Sequence, residues 1–329
     1  MDRTAGQKNA VVSLYPQISP YDQRMLEVGG GHSIYVEQCG NPKGLPVIVL
    51  HGGPGGGCSP MMRRFFDPEA YRIILFDQRG CGRSRPVASV ENNSTWHLID
   101  DIETIRKTLN INRWVLFGGS WGATLALIYA ISHPDRAAYL VLRGVFLMTR
   151  AELDWFYGGG AGAFWPDLWR KFTEVIPEDE RHDLIAAYHR RLFSGDRETE
   201  IRFAQIWAGW ENALACVASM GHAHASPPEY ARTFARLENH YFHNSGFLDC
   251  DEWILKKLSA ILHVRASIVQ GRLDMICPPA SAWRLAENWP RADLHMLSHS
   301  GHALSEPAIS EELLRITKAL RALGPTLDI

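Results

Sequence analysis

Apolar positions along this chain follow two rhythms. Short β-branched runs at 33–38, 47–50, 72–76, 115–117 and 140–142 read as strands, and helical patterns at 96–109 and 121–131 fall between them. That alternation predicts an α/β sheet that is mostly parallel. From about 146 to 251 the strand-like runs vanish, and aromatic-rich helical patterns such as ETEIRFAQIWAGWENALACVASM replace them. The first rhythm then resumes with ASIVQG, a helix over 280–288, DLHML and a last helix over 308–323. One α/β domain is therefore expected from 1–145 and 252–329, with a helical insertion, 146–251, packed on it as a cap.

Where the fourth strand passes into a helix, WVLFGGSWGATLA at 114–126, a serine stands among glycines. Gly118-Gly119-Ser120-Trp121-Gly122 fits the G-x-S-x-G nucleophile elbow in the context the motif requires, strand before and helix after. A residue at such a turn is strained, and side chains two positions away on either side would collide with the strand and the helix. The fold expected is accordingly the α/β-hydrolase fold, with a cap. A serine hydroxyl needs a base and an orienting acid, which on this fold follow in the order acid, then histidine. Asp274 in GRLDMICPP lies just past the strand ASIVQG, and His302 in SHSGHALSEP lies just past DLHML. Both fall at strand carboxyl ends, where open α/β sheets gather ligands. Asp77 in FDQRG precedes the serine and reads as structural, holding the glycine-rich turn after it. HGGPGGG at 51–57 lacks the spacing of a phosphate loop and reads as an oxyanion loop, with the Gly53 and Trp121 amides as donors.

Composition narrows the chemistry. A formal charge of −2 over 329 residues gives no reason to expect nucleic acid or an anionic membrane as partner. No run approaches the roughly 18 apolar residues of a membrane helix, and the N-terminal MDRTAGQKNAVVSLYPQ lacks the apolar core of a secretory signal. Six scattered cysteines without a CxxC pair suit free thiols in a reducing cytoplasm. His295, His299 and His302 cluster without a metal-binding pattern, and His222 with His224 reads as a solvated pair, so no metal or organic cofactor is expected. GGGAGA at 158–163 follows WFY rather than a strand and is set aside as a nucleotide fingerprint.

HGGPGGG, FDQRGCGRS, GGSWG, LRGVFL, WEN, LENHYF and GRLDMICPP, in that order, resemble the proline iminopeptidases over nearly the whole chain. The resemblance implies release of N-terminal proline from peptides through Ser120, Asp274 and His302. It implies that Glu211 in WEN and Glu238 in LENHYF hold the proline nitrogen, and that Phe146 lines the prolyl pocket. Leu273 and Gln270 depart from the family's usual aromatic and histidine. Helical spacing places both glutamates on or beside apolar stripes, Glu211 with Trp207 and Leu214, Glu238 with Phe234 and Tyr241. A carboxylate there is costly without a partner, which is either an arginine of the cap or a substrate cation. A broader aminopeptidase, an arylamidase, an esterase or a small-ligand receptor on the same fold stays open, as does the oligomeric state.

Overall fold

The computed structural model describes residues 13–222 and 225–323; the N-terminal stretch read for a signal and His224 lie largely or wholly outside the described residues. Eight strands among them form one sheet: β1 (Asp22–Glu27), β2 (Ser33–Gly40), β3 (Leu45–Leu50), β4 (Tyr71–Phe76), β5 (Trp114–Ser120), β6 (Ala137–Val145), β7 (Arg265–Gly271) and β8 (Ala292–Leu297). The spatial order is β1-β2-β4-β3-β5-β6-β7-β8. Only the β1–β2 and β2–β4 pairings are antiparallel; every pairing from β4 to β8 is parallel. The polar edge strand β1, DQRMLE, carries no apolar run, which is why the sequence pattern did not reveal it.

Helices α1 (Pro60–Arg63), α2 (Thr95–Thr108), α3 (Trp121–Ser132), α10 (Pro279–Glu287) and α11 (Pro307–Leu320) accompany the sheet. Between β6 and β7 the chain runs through α4 (Arg150–Tyr157), α5 (Pro166–Thr173), α6 (Leu184–Leu192), α7 (Arg197–Leu214), α8 (Pro228–His243) and α9 (Trp253–Lys257). Strand side chains sort by parity, as a pleat requires. Ile48, Leu50, Ile74, Leu116, Leu140 and Leu142 join the core under α2 and α3. Val47, Val49, Ile73, Leu75, Val115 and Val141 face the opposite layer, with Leu313 and Leu320 of α11. Burial on both faces explains the near-continuous apolar runs of these strands.

The first of these cores does not stop at the sheet. It continues through Phe146, Phe156, Trp207, Phe234 and Tyr241 into the inserted helices. The insertion is thus seated on the carboxyl ends of the strands by shared apolar burial. Local signals fix its helices: Thr149 and Glu152 form a reciprocal capping box at α4, and α5 and α8 begin on proline at their first turn.

Candidate active site

β5 ends at Ser120 and α3 begins at Trp121, so the chain reverses without an intervening residue. Ser120 adopts φ 58° and ψ −128°, a conformation that costs an L-residue about 1–3 kcal/mol. The flanking glycines follow from space. A Cβ on Gly118 would stand 2.2 Å from the Gly122 carbonyl oxygen, and one on Gly122 only 2.0 Å from that of Leu50. The hydroxyl is thereby held above the sheet, and the first N–H groups of α3 point toward it.

Asp274 and His302 come from the loops after β7 and β8, as their positions in the chain suggest, and they meet. His302 Nδ1 lies 2.8 Å from Asp274 Oδ2. The other carboxylate oxygen, Oδ1, accepts from the Ile276 and Cys277 amides at 3.0 and 2.8 Å. With Nδ1 committed to the acid, Nε2 is the nitrogen free to act as base. The histidine loop is held from both layers: Arg143 Nη1 donates to the His302 carbonyl at 2.7 Å, and the Ala215 carbonyl beyond α7 accepts from the His302 and Ala303 amides at 3.0 and 2.7 Å. The imidazole lies over Gly144, where a Cβ would come within 3.0 Å of the ring. Ser120 pairs in register with the next residue, Val145. Among the described residues, however, no hydrogen bond joins the Ser120 hydroxyl to His302; the buried Cys277 lines the same cavity as Ser120.

The loop after β3 faces the elbow. His51 is buried, and burial pushes its pKa down, so the ring is neutral. Its Nε2 accepts the Gln78 amide at 3.0 Å, which leaves Nδ1–H to donate to the Gly52 carbonyl at 2.9 Å. That fixes the backbone leading to Gly53, whose φ of 108° an L side chain would resist. Asp77 does hold the neighbouring turns: Oδ1 accepts the Cys58 amide at 2.7 Å, and Oδ2 accepts the Arg83 amide and Nε at 2.8 Å. Of the other histidines weighed, His295 pairs with Glu312 at 2.9 Å and His299 is exposed.

Gly53, Ser120, Phe146, Glu211 and Glu238 all line one cavity of about 340 Å³. Its floor is the elbow, and its roof is α4, α7 and α8. Glu238 is 2 % exposed, and its Oε2 accepts Trp207 Nε1 at 2.6 Å and the Tyr157 hydroxyl at 3.4 Å. Burial pushes the Glu238 pKa well above the ordinary carboxyl value, and the negative charge of Glu211 adds to it, against the Trp207 and Tyr157 donors. Burial raises Glu211 as well. Among the described residues neither carboxyl has a lysine or arginine within 4.0 Å, so the pairing with a cap arginine weighed from sequence does not occur.

A family model described as alpha/beta hydrolase fold matches residues 46–308. A proline iminopeptidase of Xylella fastidiosa is 50 % identical over 307 residues, covering 93 % of this chain and 98 % of that protein. One from Arabidopsis thaliana is 49 % identical over 314 residues, covering 94 % and 83 %. The chain belongs to the proline iminopeptidase family. Among solved structures, VinJ superposes with a TM-score of 0.61 at 19 % identity, over 93 % of this chain and 100 % of that one. A proline iminopeptidase from Mycobacterium smegmatis gives 0.56 at 19 %, over 91 % and 99 %; at such identity these two show the shared fold alone.

For this family member the cavity also contains side chains that the sequence pattern did not single out. Tyr157 stacks on Trp207 with ring centroids 4.4 Å apart, and Phe242 meets Phe146 edge-on at 5.7 Å. Cys277 and Glu152 line it as well. Glu152 is spoken for: it accepts from the Leu147 and Thr149 amides, the Thr149 hydroxyl and the Ser281 hydroxyl. The capping box T-x-x-E at 149–152 was a readable signal for it. Nothing comparable in the sequence marks Tyr157 or Phe242, which sit mid-pattern in aromatic-rich helices.

Proposed function

We propose that the protein is a serine aminopeptidase that releases N-terminal proline from peptides. The observation that carries this reading is a pair of carboxyls without a cationic partner among the described residues, Glu238 buried and Glu211 half-buried, facing Ser120 across one cavity. The insertion, 146–251, is the cap that recognises the substrate's N-terminus. A prolyl ring packs against Phe146, Phe242 and Tyr157, and its secondary ammonium sits between Glu211 and Glu238. A carboxyl pair in an apolar cavity retains a proton when empty, because two adjacent charges there cannot both be solvated. The arriving cation takes the place of that proton.

Fixing the nitrogen fixes the carbonyl carbon two bonds further on. The Ser120 hydroxyl turns about χ1 toward His302 Nε2, which accepts its proton as Oγ attacks; catalytic hydrogen bonds often close only on substrate binding. Asp274 holds the ring in the tautomer with Nδ1 protonated and stabilises the imidazolium. The Gly53 and Trp121 amides receive the tetrahedral oxygen, each donor contributing roughly 3–4 kcal/mol. The imidazolium then protonates the leaving amine. Water, deprotonated by the same ring, hydrolyses the prolyl ester, and proline and the shortened peptide leave.

The substrates are peptides beginning with proline. The six cysteines are free thiols, and the cytoplasm is the compartment that suits them. No helix among the described residues is long and apolar enough to cross a membrane. The test is a panel of aminoacyl-anilides with a short-chain ester, on wild type and Ser120→Ala. Prolyl-anilide is expected to be cleaved best, acetyl-prolyl-anilide not at all, and Ser120→Ala to cleave neither. Equal rates on free and acetylated amines, or faster ester cleavage, would favour the esterase or arylamidase alternative.

A further inference from the structure

Behind the acid, at the end of β7, Gln270 is wholly buried. A buried primary amide must satisfy an acceptor oxygen and two N–H donors, so its partners state its orientation. Oε1 lies 2.9 Å from the Val145 amide nitrogen, which can only donate. Nε2 must therefore face the other way, and there it lies 3.2 Å from Asp274 Oδ2 and 3.0 Å from the Cys277 carbonyl. Asp274 Oδ2 is the oxygen that also takes His302 Nδ1. With the Ile276 and Cys277 amides on Oδ1, each oxygen of the acid then receives two donors.

We infer that Gln270 is a positioning residue for the acid–base pair: its amide spans from the Val145 backbone to Asp274, holding the carboxylate in plane with the imidazole and tempering its charge. The inference rests on the roles given above to Asp274 and His302. Neither of the other acid contacts can substitute, since the two backbone amides reach only Oδ1. The consequence is electrostatic as well as geometric. A carboxylate that loses a donor carries more negative charge toward the ring and stabilises the imidazolium more strongly. The base then stays protonated to higher pH. Because Val145 adjoins Phe146, the same amide ties the acid to one wall of the prolyl pocket.

The other titratable or charged groups near the pair are Arg143 on β6, Cys277 in the acid loop and Glu211 from α7. The substitution leaves all three in place. The experiment is the pH profile of kcat/KM for prolyl-anilide in Gln270→Met, which keeps the volume and removes both polar functions. Its acid limb is expected to move up by roughly half to one pH unit, a part of the one to two units that a hydrogen bond to a charged group represents, because the donor acts on the ring only through Asp274. If Gln270→Met does not fold, Gln270→Leu, which has close to the same volume and likewise no donor for Asp274, is read in the same way, and its acid limb also moves up. A folded variant whose activity falls with the limb unmoved shows a packing role and overturns the inference, as does unchanged activity with an unchanged profile. Asp274→Asn is the control: if it keeps full activity, the triad reading fails, whereas a limb fixed in the Gln270 variants beside an inactive Asp274→Asn sinks only the role of Gln270.

Discussion

Helices α7 and α8 hold carboxyl groups at two places along their contact and treat them in opposite ways. Toward the start of α7, Glu200 takes Arg232 and Arg236 of α8 at 2.7 and 2.9 Å. About three turns further along the same helix, Glu211 faces Glu238 of α8 across the cavity, with no cation supplied by the described residues. The first arrangement is complete: charge meets charge, and the helices are clamped. The second is incomplete in the folded chain and is completed by whatever brings a cation. Helix packing alone would select the first kind at both places, so the second supports the site proposed above.

The contrast separates stability from function, which substitutions can check. Glu238→Gln or Glu211→Gln is expected to lower kcat/KM for prolyl-anilide by about 10²–10³, from the 2–5 kcal/mol that a buried charge contact is worth. The same variants should keep their thermal midpoint, because removing one carboxyl relieves the pair. Glu200→Gln should do the reverse. Loss of two partly exposed arginine contacts is expected to cost about 2 kcal/mol, seen in urea denaturation, with kcat/KM within a factor of about three. A common loss of stability in all three variants would erase the distinction.

Acid–base linkage sharpens it further. Folded-state pKa values of Glu238 and Glu211 are raised above the ordinary 4.5, so the folded chain prefers their protonated forms. Their contribution to stability is fully present below pH 4.5 and is lost as pH rises through the folded values. A variant carrying Gln at both positions escapes that loss. Its thermal midpoint should gain on wild type as pH is raised, and a saturating prolyl ligand should close the gap. The smallest effect belongs to Leu273, 43 % exposed at the rim of the acid loop. Leu273→Phe should change kcat/KM less than about threefold, the range for exposed positions.

How much of this was readable beforehand differs along the same lines. The elbow turn and the meeting of Asp274 with His302 were legible because backbone geometry places them. Gly118 and Gly122 have no room for a Cβ, and Asp274 and His302 fall where strands β7 and β8 end. Strand interiors were legible through continuous burial, whereas β1 was not, since an edge strand of polar residues leaves no pattern. On the cap, spacing alone placed Glu211 and Glu238 on apolar faces but left their partners open, and only the resemblance favoured a substrate. What bears on the choice is tertiary: the arginines Arg232 and Arg236 of α8 pair with Glu200 instead, which supports the substrate reading. The bond from Gln270 to Asp274 was likewise invisible, because it joins a strand interior to a loop through one side chain.

The central claim is that the unpaired carboxyls bind the charge of the proline nitrogen. It is tested most directly with an anilide of cyclopentanecarboxylic acid, which keeps the five-membered ring and the scissile carbonyl but replaces the ammonium by a methylene. Wild type is expected to cleave it at least a thousandfold more slowly than prolyl-anilide, in line with a charge contact of about 4 kcal/mol, and the gap should largely close when Glu211 and Glu238 are both glutamine. Comparable kcat/KM for the two substrates in the wild type would contradict the account.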